Sequence, residues 1–251
     1  MSLETYTPGH GESAIRFMQR RTLASHGAFA SRLFKPGQRI LDLGCGPATI
    51  TLDIARKVAP AGVVIGVDQH GEQWGDAREQ AAWEGLPVLL EAMNAYALPL
   101  AAASFDGMFS HALFEHLKEP LAVLAQVRRL LKPTGFAALR SPDWGGFILE
   151  PCTHEIEAAI QARRELQARN GGDVLAGRKL GGWLREAGFI DVRTTASYEI
   201  YDDVAPIVEH LVTQLEADGQ ARHAEVLRRW GNTPHALFAQ AWVESIGTAP
   251  I

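Results

Sequence analysis

The stretch RILDLGCGPATIT, residues 39–51, decides the fold that the rest of the chain must accommodate. An apolar run stops at Gly44 and Gly46, and residues of helical periodicity resume at about Thr49. This pattern predicts a buried strand, a glycine turn and a helix. Because glycines allow close backbone approach and a helix N-terminus is partly positive, the turn is expected to hold a nucleotide-like ligand.

Short apolar runs alternate with helical stretches from about residue 39 to residue 140. Such alternation predicts a parallel sheet covered by helices on both faces, with ligands bound at the carboxyl ends of the strands. Five strands are expected in this part. Residues 190–200 give a sixth strand, because every second side chain there would lie on one face.

The rhythm changes after residue 143, and this part is expected to lie over the sheet as a cap. Residues 143–151 are expected to form a loop, followed by a charged helix and a second helix that ends near Gly188. Two or three helices are expected in the tail. The last of them would have Thr233 as N-cap, Pro234 at its first position and Gly247 beyond its end.

Composition limits the class of partner. The chain has 251 residues, is 47% hydrophobic and 21% charged, and carries a net charge of −5. These values disfavour nucleic acid and anionic membranes as partners, and no apolar run approaches the ~18 residues that span a bilayer. With a polar N-terminus and no metal-ligand spacing around Cys45 and Cys152, we expect a cytoplasmic protein without a metal that binds a small molecule.

The glycine turn departs from the known phosphate-binding patterns. A dinucleotide fingerprint needs a third glycine where this chain has Thr49, and no G-K-[ST] follows. Asp42 stands two residues before Gly44. A carboxylate there would repel a pyrophosphate and attract a cation, so the expected ligand is a nucleoside that carries an ammonium group.

Residues 42–46, Asp-Leu-Gly-Cys-Gly, resemble motif I of the class I S-adenosylmethionine (SAM) methyltransferases. Further landmarks follow in the same order: an acidic residue at the end of the second strand (Asp68), Asn94-Ala95 where the family has Asp-Ala, the segment SFDGMFSHALFEHL, and VRRLLKPTGF with Thr134 in place of a glycine. The resemblance covers residues 35–200. It is closest to the ubiquinone-biosynthesis-like, type 11 group, which acts on small molecules.

The resemblance implies an α/β fold with a doubly wound, mostly parallel seven-stranded sheet, a helical cap and an N-terminal lid. One methyltransferase domain would fill residues 1–251, divided into a lid (1–34), a SAM-binding core (35–142), a cap insertion (143–177) and a part with the last strands and helices (178–251). SAM would be the cofactor and S-adenosylhomocysteine the product. The residues expected to contact the cofactor are Asp42, Gly44, Gly46, Thr49, Asp68, Gln69, Asn94, Ala95 and Ser110.

The same resemblance suggests where the chemistry takes place. Tyr6 and His10 of the lid would close over the sulfonium, where an aromatic face makes a cation–π contact. His111 would line the site, and His10, His111 and Glu115 are the candidate bases for an acceptor that must lose a proton. His116 is expected to cap the next helix. The residues expected to bind the methyl acceptor are Phe114, Asp143, Trp144 and Phe147.

The favoured function is methyl transfer to nitrogen or oxygen of a small aromatic or heterocyclic metabolite, by a monomer or a homodimer. Because SAM is already activated, the protein would contribute mainly proximity and orientation. A quinone-ring carbon methyltransferase is the alternative within the class. Outside it stand an NAD-dependent oxidoreductase, which Thr49 disfavours, and a non-catalytic SAM-binding module, which Ala48 and Thr134 at family glycine positions suggest.

Overall fold

A computed structural model describes residues 4–251 and shows one seven-stranded sheet in the order β3-β2-β1-β4-β5-β7-β6. The strands are β1 Arg39–Leu43, β2 Val63–Asp68, β3 Val88–Ala92, β4 Phe105–His111, β5 Leu131–Glu150, β6 Ile190–Tyr201 and β7 Leu237–Thr248. The first five strands pair in parallel, and β7 pairs antiparallel with both β5 and β6. This confirms the mostly parallel, doubly wound seven-stranded sheet.

Helices cover both faces of the sheet. They are α1 Glu12–Gln19, α2 Leu23–His26, α3 Thr49–Val58, α4 Gly75–Glu84, α5 Pro120–Leu130, α6 His154–Arg169, α7 Ala176–Glu186, α8 Ala205–Ala217 and α9 Ala221–Gly231, with short 3₁₀ turns at Ala28–Ala30, Glu72–Trp74 and Phe114–His116. Within residues 4–251, none of the helices has the length and apolar character required to cross a membrane.

The glycine turn after β1 has the backbone conformation that its sequence predicts. Gly44 and Gly46 adopt φ values of 75° and 52°, which L side chains rarely adopt. The N–H groups of Gly44 and Cys45 both donate to the Val67 carbonyl, at 2.8 and 3.0 Å. These two bonds tie the turn to the end of β2 and hold it at the sheet edge where the parallel strands end.

Two residues that stand at family glycine positions keep the glycine conformation. Ala48 and Thr134 have φ values of 65° and 63°. A non-glycine residue in this region is strained by roughly 1–3 kcal/mol, and the surrounding structure must impose it. The departures from the motif therefore change the side chain at these positions but not the path of the backbone.

The predicted last helix is wrong, because residues 237–248 form strand β7. This segment lies between β5 and β6, where it pairs with β5 from Leu237 to Thr248 and with β6 from Phe238 to Thr248. The Thr-Pro pair at 233–234 belongs to a turn, in which the Ala236 N–H donates to the Thr233 carbonyl at 3.1 Å. A sheet partner on each side outweighs a local helix-start signal.

The loop expected at residues 143–151 is also wrong, because β5 continues to Glu150. The pairing of β5 with β7 shifts register between Asp143 and Phe147, where Gly145 and Gly146 lie. A glycine pair in a strand marks a bulge as readily as a strand end. Beyond the bulge, β5 continues past the end of the parallel sheet, and its residues Trp144 and Leu149 pack in the apolar cluster of the cap.

The cap and the N-terminal arm enclose the carboxyl end of the sheet. Helices α6, α8 and α9 bury one apolar cluster that includes Trp144 and Phe238. The arm crosses from the sheet to the cap: Glu4 accepts hydrogen bonds from the Tyr96 hydroxyl and from the Lys118 N–H, and the Thr5 N–H donates to the Asn170 carbonyl. This arrangement covers the strand ends where the sequence predicted a ligand.

Candidate active site

The carboxyl ends of β1, β2 and β4 open into a cleft of about 1090 Å³, part of it open to solvent. We call this space the cofactor cleft. Its wall includes the glycine turn, the end of β2, the segment after β3, and the N-terminal arm. Parallel strands place their carboxyl ends at one edge, which is why residues so far apart in the chain meet here.

Asp68 holds the glycine turn and faces the cofactor cleft. Its Oδ2 accepts the Gly46 N–H at 2.9 Å, and its Oδ1 accepts the His70 N–H at 3.4 Å. The Trp74 indole N–H donates to the Gly46 carbonyl at 2.8 Å. A Cβ at Gly46 would meet only Met18 Sδ within 4 Å, so the turn presents bare backbone to the cleft.

Asp42 lies at the base of the same cleft and is almost fully buried. The Thr51 hydroxyl donates to its Oδ2 at 2.6 Å. Burial, opposed by the Thr51 hydrogen bond and aided by the nearby Asp68 carboxylate, raises the pKa of Asp42 to about 7. Asp42 can therefore gain or lose a proton near neutral pH.

Aromatic rings from the N-terminal arm close the outer side of the cleft. The Tyr6 ring stacks on His10 with 5.1 Å between centroids, and His10 lies 3.8 Å from the His70 ring. Tyr6 also contacts the edge of His116 at 4.8 Å, and its hydroxyl donates to Met18 Sδ at 3.6 Å. Burial raises the pKa of Tyr6, so its hydroxyl stays protonated and acts as a donor.

A second cavity of about 550 Å³ lies under the cap, and we call it the acceptor pocket. Aromatic side chains from β5, β6, β7 and α1 line it together with polar groups of α6 and α8. The residues that line both cavities are Tyr6, Met18, Arg21, Ala112 and His116. The two cavities therefore meet behind the N-terminal arm.

Glu115 and His116 stand side by side at this junction. Glu115 Oε1 lies 3.7 Å from His116 Nε2, and the Ser141 hydroxyl donates to Glu115 Oε2 at 2.9 Å. Burial raises the pKa of Glu115 to about 7 and lowers the pKa of His116 to about 3. Near neutral pH, His116 is therefore uncharged, and Glu115 is the group that can take up a proton.

His111 lies at the end of β4 with its ring between His26 and Trp242. Its Nδ1 is 3.5 Å from Arg140 Nη1, and burial lowers the pKa of His111 well below its usual value. Because a guanidinium only donates, Nδ1 must accept, and the single proton of the neutral ring lies on Nε2. Nε2 has no partner among the described residues, so His111 offers a donor and not a base.

Comparison with known proteins identifies the family. The methyltransferase domain family matches residues 40–135. Nocamycin O-methyltransferase from Saccharothrix syringae is 31% identical over 199 residues, which cover 71% of this chain and 68% of that enzyme. The chain belongs to the class I SAM-dependent methyltransferases. This confirms the predicted family and its cofactor.

Two further comparisons show how far the similarity extends and which fold the chain shares. An uncharacterised 37.1 kDa protein encoded in a transposon of Streptomyces fradiae is 30% identical over 218 residues, 86% of this chain and 59% of that protein. The methyltransferase thus spans about three fifths of that relative. A SAM-dependent methyltransferase from Aquifex aeolicus shares the fold, with a TM-score of 0.54, 17% identity, and coverage of 94% of this chain and 99% of that one.

Several predicted site residues of this methyltransferase lie together. The predicted residues that line the cofactor cleft are Tyr6, His10, Asp42, Gly44, Gly46, Thr49, Asp68, Gln69, Ala95 and His111. Trp144, which the sequence analysis expects to bind the acceptor, lines the acceptor pocket. Residues 4–251 contain no group of three His, Cys, Asp or Glu side chains that could hold a metal ion.

Two predicted cofactor contacts lie outside the cleft. Asn94 is exposed, and its Oδ1 accepts the Tyr96 N–H at 2.9 Å, so the side chain expected to contact the cofactor is used in a turn. Its neighbours Met93 and Ala95 line the cleft instead. The Ser110 hydroxyl is buried and donates to the Leu43 carbonyl at 2.8 Å, which ties β4 to β1.

Three predicted acceptor contacts are corrected as well. Phe114 is 1% exposed and packs in the main core. Both Asp143 carboxylate oxygens accept from the Arg178 guanidinium, at 2.6 and 2.7 Å, and anchor α7 to β5. Phe147 follows the bulge and packs against the apolar cluster of the cap. In each case the extra length of β5 or the packing of the core turns the side chain away from both cavities.

His116 has another position than the helix cap expected from the sequence. It ends the 3₁₀ turn Phe114–His116, whereas Glu119 precedes α5 and makes no side-chain cap bond. Its ring lies between the two cavities, because the 3₁₀ turn directs it toward Tyr6.

Sequence reasoning missed the polar groups of the acceptor pocket. Arg163, Tyr201, His210 and Gln240 come from α6, β6, α8 and β7 and share no motif. Arg163 did carry a signal: it follows Ile156, Ala159 and Ile160 at helical spacing on the buried face of α6. A charged residue on the apolar stripe of a helix needs a buried partner or a ligand.

Proposed function

We propose that this methyltransferase moves a methyl group from SAM in the cofactor cleft to a small planar acceptor in the acceptor pocket. The proposal is carried by the junction of the two cavities, which share Tyr6, Met18, Arg21, Ala112 and His116. A donor and an acceptor bound on either side of this junction would face one another. Orientation of this kind supplies most of the acceleration when the donor is already activated.

The cofactor cleft fits the nucleoside by several features. The bare backbone at Gly46 allows close approach, and the Asp68 carboxylate can accept from ribose hydroxyls. Met93 and Ala95 offer an apolar wall for a flat base. Bound SAM would supply a methyl group activated by a positively charged sulfur, and the Tyr6 and His10 rings would face that charge.

Transfer to oxygen or nitrogen would be completed at Glu115. The new bond would form between the acceptor atom and the methyl carbon, while the electron pair of the broken carbon–sulfur bond stays with sulfur. Glu115 Oε1 would take the acceptor's proton, because Oε2 is engaged by Ser141 and burial raises the pKa of Glu115 to about 7. His111 Nε2–H would orient a ligand oxygen by donation.

Two measurements test the proposal. Thermal unfolding is measured with saturating S-adenosylhomocysteine and, separately, with saturating NAD. The melting temperature should rise with S-adenosylhomocysteine and stay unchanged with NAD. Methyl-labelled SAM is then incubated with the enzyme and with either the aqueous or the lipid fraction of a cell extract. Label in a small aqueous product supports the proposal, whereas label in a quinone of the lipid fraction supports ring-carbon methylation. Absence of nucleoside binding contradicts both.

A further inference from the structure

The acceptor pocket contains a buried guanidinium held in place by neutral groups. Arg163 of α6 is 4% exposed. Its Nη1 donates to Gln167 Oε1, its Nε donates to Gln214 Oε1 at 3.1 Å, and its guanidinium lies 4.3 Å from the centroid of the Trp144 ring. Burial lowers the pKa of Arg163 to about 10, so it remains charged at pH 7.

No carboxylate within residues 4–251 forms a close ion pair with this charge. Within residues 4–251, no carboxylate oxygen lies within 4.0 Å of the Arg163 guanidinium or of Arg21, the other cation that lines the pocket. The Glu115 carboxyl group lines the same pocket and interacts with Arg163 and Arg21 from beyond this distance. Burial raises its pKa to about 7 although both arginines lower it, so near neutral pH it balances at most part of the two positive charges. Since an unpaired buried charge is costly, the pocket favours a ligand that brings a negative charge.

Two further polar atoms of the pocket residues, Gln240 Oε1 and Trp242 Nε1, have no hydrogen-bond partner in the part of the chain that the structure describes. Gln240 donates both amide hydrogens, to the Asp143 and Ala241 carbonyls, which leaves its Oε1 without a hydrogen bond. Trp242 Nε1 likewise has no acceptor. Both residues are almost fully buried and come from β7, on which sheet pairing fixes their positions. They can complement one hydrogen-bond donor and one acceptor on a ligand.

The remaining wall is flat and aromatic. Phe17 stacks on His210 with 4.3 Å between centroids and an interplanar angle of 10°, and Tyr201 lies 5.7 Å from Phe238. Burial lowers the pKa of His210 well below its usual value, so this ring carries no charge. Aromatic walls with few polar groups suit a planar ligand body. The positive charges of Arg163 and Arg21 disfavour binding of a cationic ligand.

We propose that the acceptor of this enzyme is a planar carboxylic acid, with its carboxylate held by Arg163 and a hydroxyl or N–H group complemented by Gln240. The inference rests on the proposed function and specifies the class of its substrate. Arg163 lines the acceptor pocket and not the cofactor cleft. The carboxylate is therefore an anchor, and the methylated atom is the one that reaches the junction at Tyr6 and His116.

The test uses matched acids and amides. The full chain is saturated with S-adenosylhomocysteine, and binding of hydroxybenzoates and hydroxycinnamates is measured by calorimetry beside their carboxamides and the corresponding amines. We expect at least one acid to bind about 10- to 100-fold more tightly than its amide, as hydrogen bonds to a charged group allow. The inference is overturned if no acid binds, or if amides or amines bind equally well.

Variants of α6 assign the preference to one side chain. Arg163→Gln should reduce the acid-over-amide preference to about twofold or less, and Arg163→Lys should retain part of it. Arg164→Gln is the matched control, because this neighbouring arginine lies outside both cavities and donates to Gln161. A preference that survives Arg163→Gln contradicts the assignment. If Arg163→Gln does not fold, Arg163→Lys carries the comparison.

Binding of S-adenosylhomocysteine distinguishes a failure of the proposed function from a failure of the proposed acceptor class. Wild-type protein that fails to bind S-adenosylhomocysteine contradicts the proposed function itself. Protein that binds the nucleoside and transfers label to neutral or cationic acceptors, while it rejects acids, leaves the methyl transfer intact and contradicts the carboxylic-acid class alone.

Discussion

The cofactor cleft and the acceptor pocket are neighbours built in different ways. The cleft is dominated by short, contiguous segments at the ends of β1 and β2, such as the turn at 44–49 and residues 67–70. The pocket takes single side chains from the arm, α1, α6, α8 and the strands β5, β6 and β7. A contiguous segment carries its geometry in its own backbone, whereas an assembled pocket depends on how distant elements pack. A substitution in the cleft is therefore expected to act locally, whereas one in the pocket is expected to affect the packing of several elements.

The largest expected effect separates folding of the cap from cofactor binding. Trp144 is 5% exposed and packs under α6 and α8 in the apolar cluster of the cap. Trp144→Ala should lower the free energy of unfolding by about 3–5 kcal/mol because it leaves a cavity. The affinity of the folded protein for S-adenosylhomocysteine should stay within about threefold, since Trp144 does not line the cleft. Denaturant unfolding and calorimetry measure the two quantities.

Trp83 provides the matched control for this prediction. It is 85% exposed on α4, so Trp83→Ala should change the free energy of unfolding by no more than about 0.5 kcal/mol. If Trp144→Ala weakened nucleoside binding as strongly as it weakened folding, the cleft and the cap would be one cooperative unit, and the distinction between the two regions would fail.

The next effect concerns the cleft alone. Asp68→Ala removes an ionised acceptor for ribose hydroxyls and the anchor of the Gly46 N–H. The loss should raise the Kd of S-adenosylhomocysteine by about 10- to 150-fold, from about 1.5–3 kcal/mol. Asp68→Asn can still accept the Gly46 N–H, so it separates the charge from the geometry of the turn. Glu72→Gln, at a side chain that is 86% exposed, serves as the control. Equal affinity in Asp68→Ala and wild type would remove Asp68 from the site.

The same contrast explains what the sequence could predict. Asp42, Gly44, Gly46 and Asp68 were found because strand order and a local motif place them at one edge of the sheet. Five strands and the antiparallel partner β6 followed from apolar periodicity. Strand β7 was missed, because its Thr233-Pro234 start signal favours a helix and its neighbours β5 and β6 are distant in sequence.

The acceptor pocket shows where such prediction stops. Asp143, placed next to a strand end, was expected to face the acceptor, but the Arg178 guanidinium from α7 engages it. Gln240 and Arg163 line the pocket only because β7 lies in the sheet and α6 packs over the pocket. Periodicity predicts which face of an element is buried, but not which distant element covers that face.

Among the described residues, each region has one almost fully buried carboxyl group, Asp42 in the cleft and Glu115 in the pocket, and burial raises the pKa of both. Burial raises the pKa of Asp42 from its usual 3.8 to about 7. Between these values Asp42 is protonated in the folded chain and ionised in the unfolded one, so its contribution to stability is lost as pH rises. The stability of wild type relative to Asp42→Asn should therefore fall from pH 4 to pH 7, by up to about 1.4 kcal/mol per pH unit.

A second variant sharpens the pH experiment. The Thr51 hydroxyl lowers the pKa of Asp42, so Thr51→Val should extend the decline to higher pH. The stability of wild type relative to Glu115→Gln should also fall as pH rises, because burial raises the pKa of Glu115 as well. A difference between wild type and Asp42→Asn that does not vary with pH would show that Asp42 is ionised in the folded protein throughout this range.

The smallest expected effect lies at the junction that both regions share. The Tyr6 hydroxyl makes one long hydrogen bond, to Met18 Sδ, whereas its ring contacts His10 and His116. Tyr6→Phe keeps the ring, so S-adenosylhomocysteine affinity should stay within about twofold, while turnover should fall by about 2- to 10-fold through loss of one donor. Tyr6→Ala, which also removes the ring, should weaken both nucleoside binding and turnover. If Tyr6→Phe turns over at the wild-type rate, the hydroxyl has no part in catalysis, and the junction acts through its rings alone.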